Sequence, residues 1–508
     1  MAIRTYGLSG SGMDVDQMVK DLMKAQRARY DTMVQKKTQL EWKKADYNSI
    51  YTAVNDFRST TAFNYKLQST LLPKKTVSSD DTKVSVSANA DAVNFTHSVE
   101  VTSLATSASM SSNAAVSQTG SPGKTNLQDH IGVSGTLNLT FNDGVNSKSL
   151  TDYDTTGKSI YDLVSDINNL GLNVKASYDS TLDRFFLYNT NSGDDAQINL
   201  SSSDPNADNL INKLNLGANA NISTEPLAVN VPYKYTSGAN AEVVIDGASM
   251  SLSKNNVTIS GVTYNFKAQG TANVTVSSDN DKAIAAVKSF VESYNTLLSK
   301  INSEANETYY KDFLPLTDEQ KAAMSESDIK AWEEKAKSGL LRRNPILQQL
   351  SNSMRNDLAS PISGVTGIYN SASSIGITSG SYTEGGKLYL DETKLKKAIE
   401  ADPDILYKIF GSSGETSNQS GIASRLYNTL KASSDLIVSE AGITATTAYD
   451  TKSSLAKQIQ DYDDRLYNLS NQLTDMEDRY YTQFNAMETA LQKLSQQSTW
   501  LSQQFASQ

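Results

Sequence analysis

Few residues in this chain are spaced to do chemistry. Gly120-Ser-Pro-Gly-Lys-Thr125 ends like a phosphate-binding loop, in which backbone N–H groups and a lysine would cradle a nucleotide. That loop needs a glycine where Gln118 stands and a strand before it, so a Pro/Gly turn accounts for the segment. Gly7, Gly10 and Gly12 follow no strand pattern, which removes the dinucleotide reading of them. Paired carboxylates, the requirement for glycoside hydrolysis, occur at Asp80-Asp81, Asp194-Asp195 and Asp463-Asp464, but adjacent acids in turns or on exposed helix faces read as solvated charge. There is no cysteine, which excludes disulfides, thiolate nucleophiles and thiolate metal sites. The two histidines, His97 and His130, are too few for an imidazole metal centre, and His97 alternates inside a strand pattern as a packed or half-exposed residue would. The sequence therefore predicts no catalytic, metal or cofactor-binding residues and no enzyme activity, and it favours a structural or binding role.

The composition agrees. The 508 residues exceed one domain, and a hydrophobic content of 38% implies small or elongated cores. A formal charge of -10 argues against nucleic acid and anionic membranes as partners. No run of about 18 apolar residues and no signal-peptide stretch occur, so neither membrane insertion nor Sec-dependent export is expected.

The helix breakers set the organisation. Residues 13–72 and 443–508 contain neither Gly nor Pro and are expected to be long helices. The first is capped by Asp14, with Gln17 three residues on, just after Gly10-Ser11-Gly12. Its apolar positions run through Val15, Val19, Leu22, Met33, Leu40, Tyr47, Ile50, Val54 and Phe57, with Arg29, Lys36 and Lys43 interrupting the seam. The last helix carries a more regular stripe: Leu455, Ile459, Tyr462, Leu466, Leu469, Leu473, Met476, Tyr480, Phe484, Met487, Leu491, Leu494, Leu501 and Phe505. A stutter falls at Met476-Tyr480-Phe484. Such a stripe serves either an intramolecular bundle or assembly between chains. Residues 13–72 carry ten basic against seven acidic residues and 443–508 carry five against eight, so charge favours pairing of the two ends, parallel or antiparallel.

Between the ends the period changes to two. Thr82–Ser87, Thr96–Val101, Gly135–Phe141 and Asn273–Ser277 alternate as strands, with turns at Asn142-Asp143-Gly144 and Asp246-Gly247. Short helices are expected at Ser159–Leu170 and Asn206–Leu214, a linker at 107–126, and a broad-faced helix from Asp281 through Ile301.

Three blocks, in order, resemble the flagellar hook-associated protein 2 (filament cap) family. They are GLSGSGMDVDQMVKDLMKAQRARYDTM at 7–33, continuing through Phe63, Leu71 and Val99–Ala105; Ala241–Gly247 with Asn255–Val262 and Phe290–Asn295; and Gly386–Asp391 with Leu395 and Pro403–Phe410. In the third block Asp391 is positioned to cap a helix carrying Leu395 and Ile399, which Pro403 restarts and Gly411 ends. Residues 135–200 resemble the variable "IN" unit of flagellins, with Ile167-Asn168 in its helix. The opening has one Gly more than the family pattern, and 106–134 match none of these blocks.

The expected fold class is multidomain α+β, with long terminal helices forming a coiled-coil root, an α-helical bundle domain and two inserted β-rich domains. The expected division is 1–42 with 450–508 as a coiled-coil leg, 43–72 with 281–449 as the helical bundle, 73–105 with 231–280 as a β-rich domain, and 106–230 as a variable outer β-rich domain. The resemblance implies an extracellular structural cap at the distal end of the bacterial flagellar filament. There it would form a homo-oligomeric ring, a pentamer favoured, that promotes flagellin folding and polymerisation. It implies flagellin, other copies of the chain, an export chaperone and the type III export apparatus as partners, host glycans as a further one, and no cofactor. Other readings are a different axial flagellar protein (flagellin or hook–filament junction type), a tip adhesin binding host glycans, or an enzyme on a coiled-coil stalk. Docking to the filament or to neighbouring copies is assigned to Val15, Leu22, Met33, Leu40, Leu466, Leu469, Leu473, Met476, Met487, Leu491 and Leu494.

Overall fold

The computed structural model describes residues 14–119, 124, 126–202, 204–216, 233–443 and 450–506. The Gly7–Gly12 loop and nearly all of the Gly120–Thr125 segment lie outside them. The chain divides into two units, one made of its two ends (Met1–Leu72 with Asn280–Gln508) and one of the stretch between, Pro73–Asp279. The multidomain α+β class expected from the sequence is what is found.

In the first unit, the N-terminal helix spans Val15–Asp56 and starts where Asp14 Oδ1 accepts the Gln17 N–H at 3.0 Å. It does not continue to residue 72. A π-helical turn, Phe57–Ala62, leads into a bend that turns Tyr65 and Leu71 into the core, so burial ends this helix without Gly or Pro. The core is aromatic at its centre: Phe290 lies 5.1 Å from Tyr65 and 4.9 Å from Phe410, ring centre to ring centre. Around it pack the helices Asn280–Asn306, Pro345–Ala359, Glu392–Ala401 and Ile422–Ala441, together with a two-stranded ribbon, Ile377–Ser379 with Leu388–Leu390. Asp391 caps its helix through the Lys394 N–H, as its position foretold.

The middle unit contains two hydrophobic clusters. One lies on a five-stranded antiparallel sheet in the order Lys74–Ser78, Gly270–Ser278, Phe95–Ser103, Ala241–Ile245, Ala248–Leu252. A three-stranded sheet, Asn256–Ile259, Val262–Phe266 and Val84–Ala88, adds Val84, Val262, Tyr264 and Phe266 to the same core. The alternation read from the sequence is the pleat: Val99, Val101, Ala272, Val274 and Val276 are buried while Glu100 and Asn273 face out. Asp246 and Gly247 both take positive φ, 48° and 84°, which a two-residue type I′ hairpin demands.

The second cluster joins a four-stranded sheet (Tyr233–Thr236, Ser109–Ser112, Arg184–Asn189, Val174–Asp179) to a three-stranded one (Ser147–Asp154, Thr136–Asn142, Asn199–Ser201) and three helices. Those helices, Leu127–Ile131, Ile160–Asn168 and Pro205–Lys213, begin at the caps Asn126, Ser159 and Asp204. The linker expected at 107–126 is corrected here. Ser109–Ser112 is a paired strand, Met110 and Val116 are buried, and Ser112 Oγ accepts from the Phe185 N–H and donates to the Leu214 carbonyl. Its low hydrophobicity hid a strand held by hydroxyl hydrogen bonds. His97 stacks on Phe95 at 3.7 Å and hydrogen-bonds the Tyr264 hydroxyl, the packed role expected of it.

Asp46 on the N-terminal helix is half-buried, and that burial, with the nearby carboxylates of Glu304 and Glu307, pushes its pKa up to about 7. The unfolded group ionises near 4, so the contribution of Asp46 to folding stability is greatest below about pH 4 and declines as pH rises toward 7. Asp46→Asn should therefore raise the melting temperature of the helical unit by a few degrees at pH 8. A calorimetric pH series should show that gain vanishing near pH 4.

Candidate assembly surface on the terminal helices

The C-terminal helix, Ser454–Ala506, runs antiparallel to the N-terminal one. Three polar contacts fix the register: Tyr481 OH donates to Asp16 Oδ1 at 3.0 Å, Lys37 Nζ meets Asp463 at 2.5 Å, and the Lys44 ammonium donates to the Asp450 carboxylate. Their apolar contact is small. Val15, Val19, Met23, Leu473 and Tyr481 are buried, with Tyr30, Leu469, Met476, Tyr480 and Phe484 partly so. In proteins most helical stability comes from packing of an apolar face, and over the leg that packing is one-sided and small.

The Lys44–Asp450 pair closes the other end. The Lys44 side chain is fully buried, and Asp450 also accepts the Lys452 and Ser453 N–H groups and the Ser453 hydroxyl. Ser453 Oγ in turn accepts the Ala456 N–H, capping the C-terminal helix. Burial pushes the Asp450 pKa up, but the ammonium and these donors outweigh it and hold the carboxyl well below the usual range. Gly442 (φ 73°) lies so close that a Cβ there would overlap the Asp450 carboxylate.

The predicted docking residues separate into groups. Val15 and Leu473 sit in the buried seam, with Leu469 and Met476 beside it. Leu466 is buried, Met33 is half-buried, and Leu40 packs against the helical core. Leu22 is 43% exposed, and Met23 takes the place expected of it. Met487, Leu491 and Leu494 are exposed, as are Trp500 and Leu501, and from Thr489 to Gln504 every residue is exposed.

The difference at Leu22 has a geometric cause. Val15, Val19 and Met23 follow one another in steps of four, each advancing about 40° around the helix, so the buried arc turns away from Leu22, about 100° behind Met23. Farther on, Lys44, not Lys43, is the buried cation. Lys44, Asp450, Met23 and Tyr481 were not identified from the sequence. The partners of Tyr481 and Lys44 are 465 and 406 residues away, beyond any local pattern.

Among the described residues, no group of His, Cys, Asp and Glu is arranged to hold a metal ion and no helix is long and apolar enough to cross a membrane. The architecture defines a multidomain α+β protein whose chain ends pair as long helices, with the β-rich stretch inserted between them in the sequence. The family model for the C-terminus of flagellar hook-associated protein 2 matches residues 238–496, and that for its N-terminus matches residues 11–108. The chain belongs to the flagellar hook-associated protein 2 family. The relative from Halalkalibacterium halodurans is 29% identical over 97% of this chain and 98% of its own, and the B-type relative from Pseudomonas aeruginosa is 27% identical over 90% and 89%. The flagellar cap protein of Escherichia coli, solved as its D1-D2-D3 domains, shares the fold, with a TM-score of 0.56 at 18% identity over 82% of this chain and 99% of that one.

Asp450→Ala would strand the Lys44 ammonium in the interior and should destabilise the helical unit by about 3–5 kcal/mol at pH 7. A Lys44→Met/Asp450→Leu double variant should recover most of that loss in the same calorimetric assay. Because the folded carboxyl is depressed, the pair's contribution is complete above about pH 4 and lost as pH falls below it. The deficit of Asp450→Ala should therefore narrow in acid.

Proposed function

We propose that this chain caps the distal end of the flagellar filament as an extracellular ring of identical copies, under which exported flagellin folds and joins the filament. Membership of the family over nearly the whole chain supports the capping role. The observation that carries the mechanism is the exposed apolar face on the last stretch of the C-terminal helix, the part about 25 residues long beyond Tyr481, the position that meets Asp16. Over that stretch Met487, Leu491, Leu494, Trp500 and Leu501 are exposed. An apolar stripe of this kind on a helix marks a contact made in an assembly.

In this reading the two terminal helices form a leg that enters the filament end, the four-part division expected from the sequence applies with Tyr233–Thr236 moved to the outer β domain, whose Ser109–Ser112 strand it pairs with, and the chain reaches the tip through the type III apparatus with an export chaperone. The weak seam of the leg is what makes the device work, since a helix pair with little buried area of its own is ready to be ordered by flagellin. The β region supplies its own cores and needs no such help.

Two experiments test this. A clean deletion strain should release soluble flagellin and bear no filaments by electron microscopy, and normal filaments would remove the capping role. Leu491→Ala/Leu494→Ala should leave the melting of the purified chain within about 0.5 kcal/mol of wild type yet fail to restore filaments. Leu473→Ala, by contrast, removes a buried side chain, and the leg itself should lose about 2–5 kcal/mol.

A further inference from the structure

A groove of about 520 Å³ lies where the N-terminal helix meets the 339–343 turn and the first turns of the C-terminal helix. Lys36, Lys43, Arg342 and Arg343 line it, and no carboxylate does. None of these four has an ion pair or a side-chain hydrogen bond among the described residues. Their neighbours differ: Lys37 pairs with Asp463, Lys24 with Glu319, and Lys44 with Asp450. In a chain of formal charge -10, four unpaired cations around one groove are a localised reversal of sign.

The arginines are also held in place. Arg343 takes φ 55°, unusual for a residue with a side chain, and its N–H donates to the Ala305 carbonyl at 2.9 Å. The next residue, Asn344, caps a helix through the Ile346 and Leu347 N–H groups and donates to the Tyr47 hydroxyl. Two guanidiniums on a pinned turn are pre-organised for carboxylates, which they can grip in bidentate fashion.

The matching acids lie on the same leg. Asp464 and Asp475 are exposed and have no partner among the described residues. Tyr462 lines the groove, and Asp464, two residues on, is turned about 200° from it at 3.6 residues per turn. Asp475 lies within about 20° of Asp464 and about 16 Å farther along. One leg thus carries a cationic groove on one flank and a pair of carboxylates on the other, starting at the same height. Different patches that complement one another across a rotation make a heterologous contact, the kind that closes rings.

We propose that the groove receives the Asp464 and Asp475 carboxylates of a second copy of this chain standing beside it. The proposal rests on the reading that copies assemble side by side, and it names the leg contact that sets their rotation.

The full-length chain tests it, since having no cysteine it accepts unique thiols. Lys43→Cys/Asp464→Cys, treated with a short bismaleimide as concentrated purified protein and again on isolated filaments, should give a ladder of cross-linked species beyond the dimer. The two single-cysteine variants should give none beyond the dimer. Lys36→Glu/Lys43→Glu and Asp464→Lys/Asp475→Lys should each weaken self-association about tenfold or more in sedimentation, and the combined fourfold swap should restore it while circular dichroism stays unchanged. No ladder in either setting, or a folded fourfold variant that stays dissociated, would overturn the contact. So would normal association of the Asp464→Lys/Asp475→Lys chain, which would hand the groove to carboxylates of another protein. Failure of the capping role shows up separately, as normal filaments in the deletion strain, and the ladder of the purified chain does not depend on it.

Discussion

One buried ion pair joins what the sequence keeps farthest apart. Lys44 lies near the start of the chain and Asp450 near its end, and their contact is made with the ammonium wholly out of water. A buried cation without its partner is strongly unfavourable, so the helical unit is complete only when both ends of the chain are in place. The pair sits where the leg meets the helical core: on one side the N-terminal helix contributes Tyr47, Ile50 and Val54 to that core, and on the other only the thin seam from Val15 to Tyr30 remains. Specific electrostatics therefore mark the boundary between a well-packed unit and a leg that depends on company.

This distribution of stability suits a protein that works in an assembly. The helical core and the two β clusters bury extensive apolar surface, whereas the leg is fastened by a short seam and a few polar contacts and, beyond Tyr481, exposes its apolar residues. Hydrophobic burial is what makes long helices persist, and the last turns of the C-terminal helix expose their apolar residues. A surface of that kind is a liability in a lone chain, and in the proposed capping role it is the surface that would meet the filament end.

Much of this was legible in the sequence where the determinants are local. Asp14 and Asp391 announced helix starts because a capping side chain needs only its next three residues. Strand alternation at 96–101 and 273–277, within strands that run 95–103 and 270–278, and the Asp246-Gly247 turn were equally plain. What stayed hidden depended on distant partners or on accumulated rotation. Ser109–Ser112 has almost no apolar content and is a strand only because two strands flank it. The heptad from Leu22 to Lys43 looked like a seam, but the buried face runs through Val15, Val19 and Met23 in steps of four, and Lys44 enters it rather than Lys43. The exposed stripe from Met487 to Leu501 was visible from the start; that nothing within the described chain covers it was not.

The central claim is that the C-terminal helix is divided, near Tyr481, into a part packed by its own chain and a part reserved for partners. Residue-resolved hydrogen exchange on the purified full-length chain addresses this directly. Amides from Leu455 to about Tyr481 should exchange slowly and those from about Met487 to Gln504 fast, with protection of the second stretch rising on filament ends. Uniform strong protection along the whole helix in the dilute, unassembled chain would contradict the account.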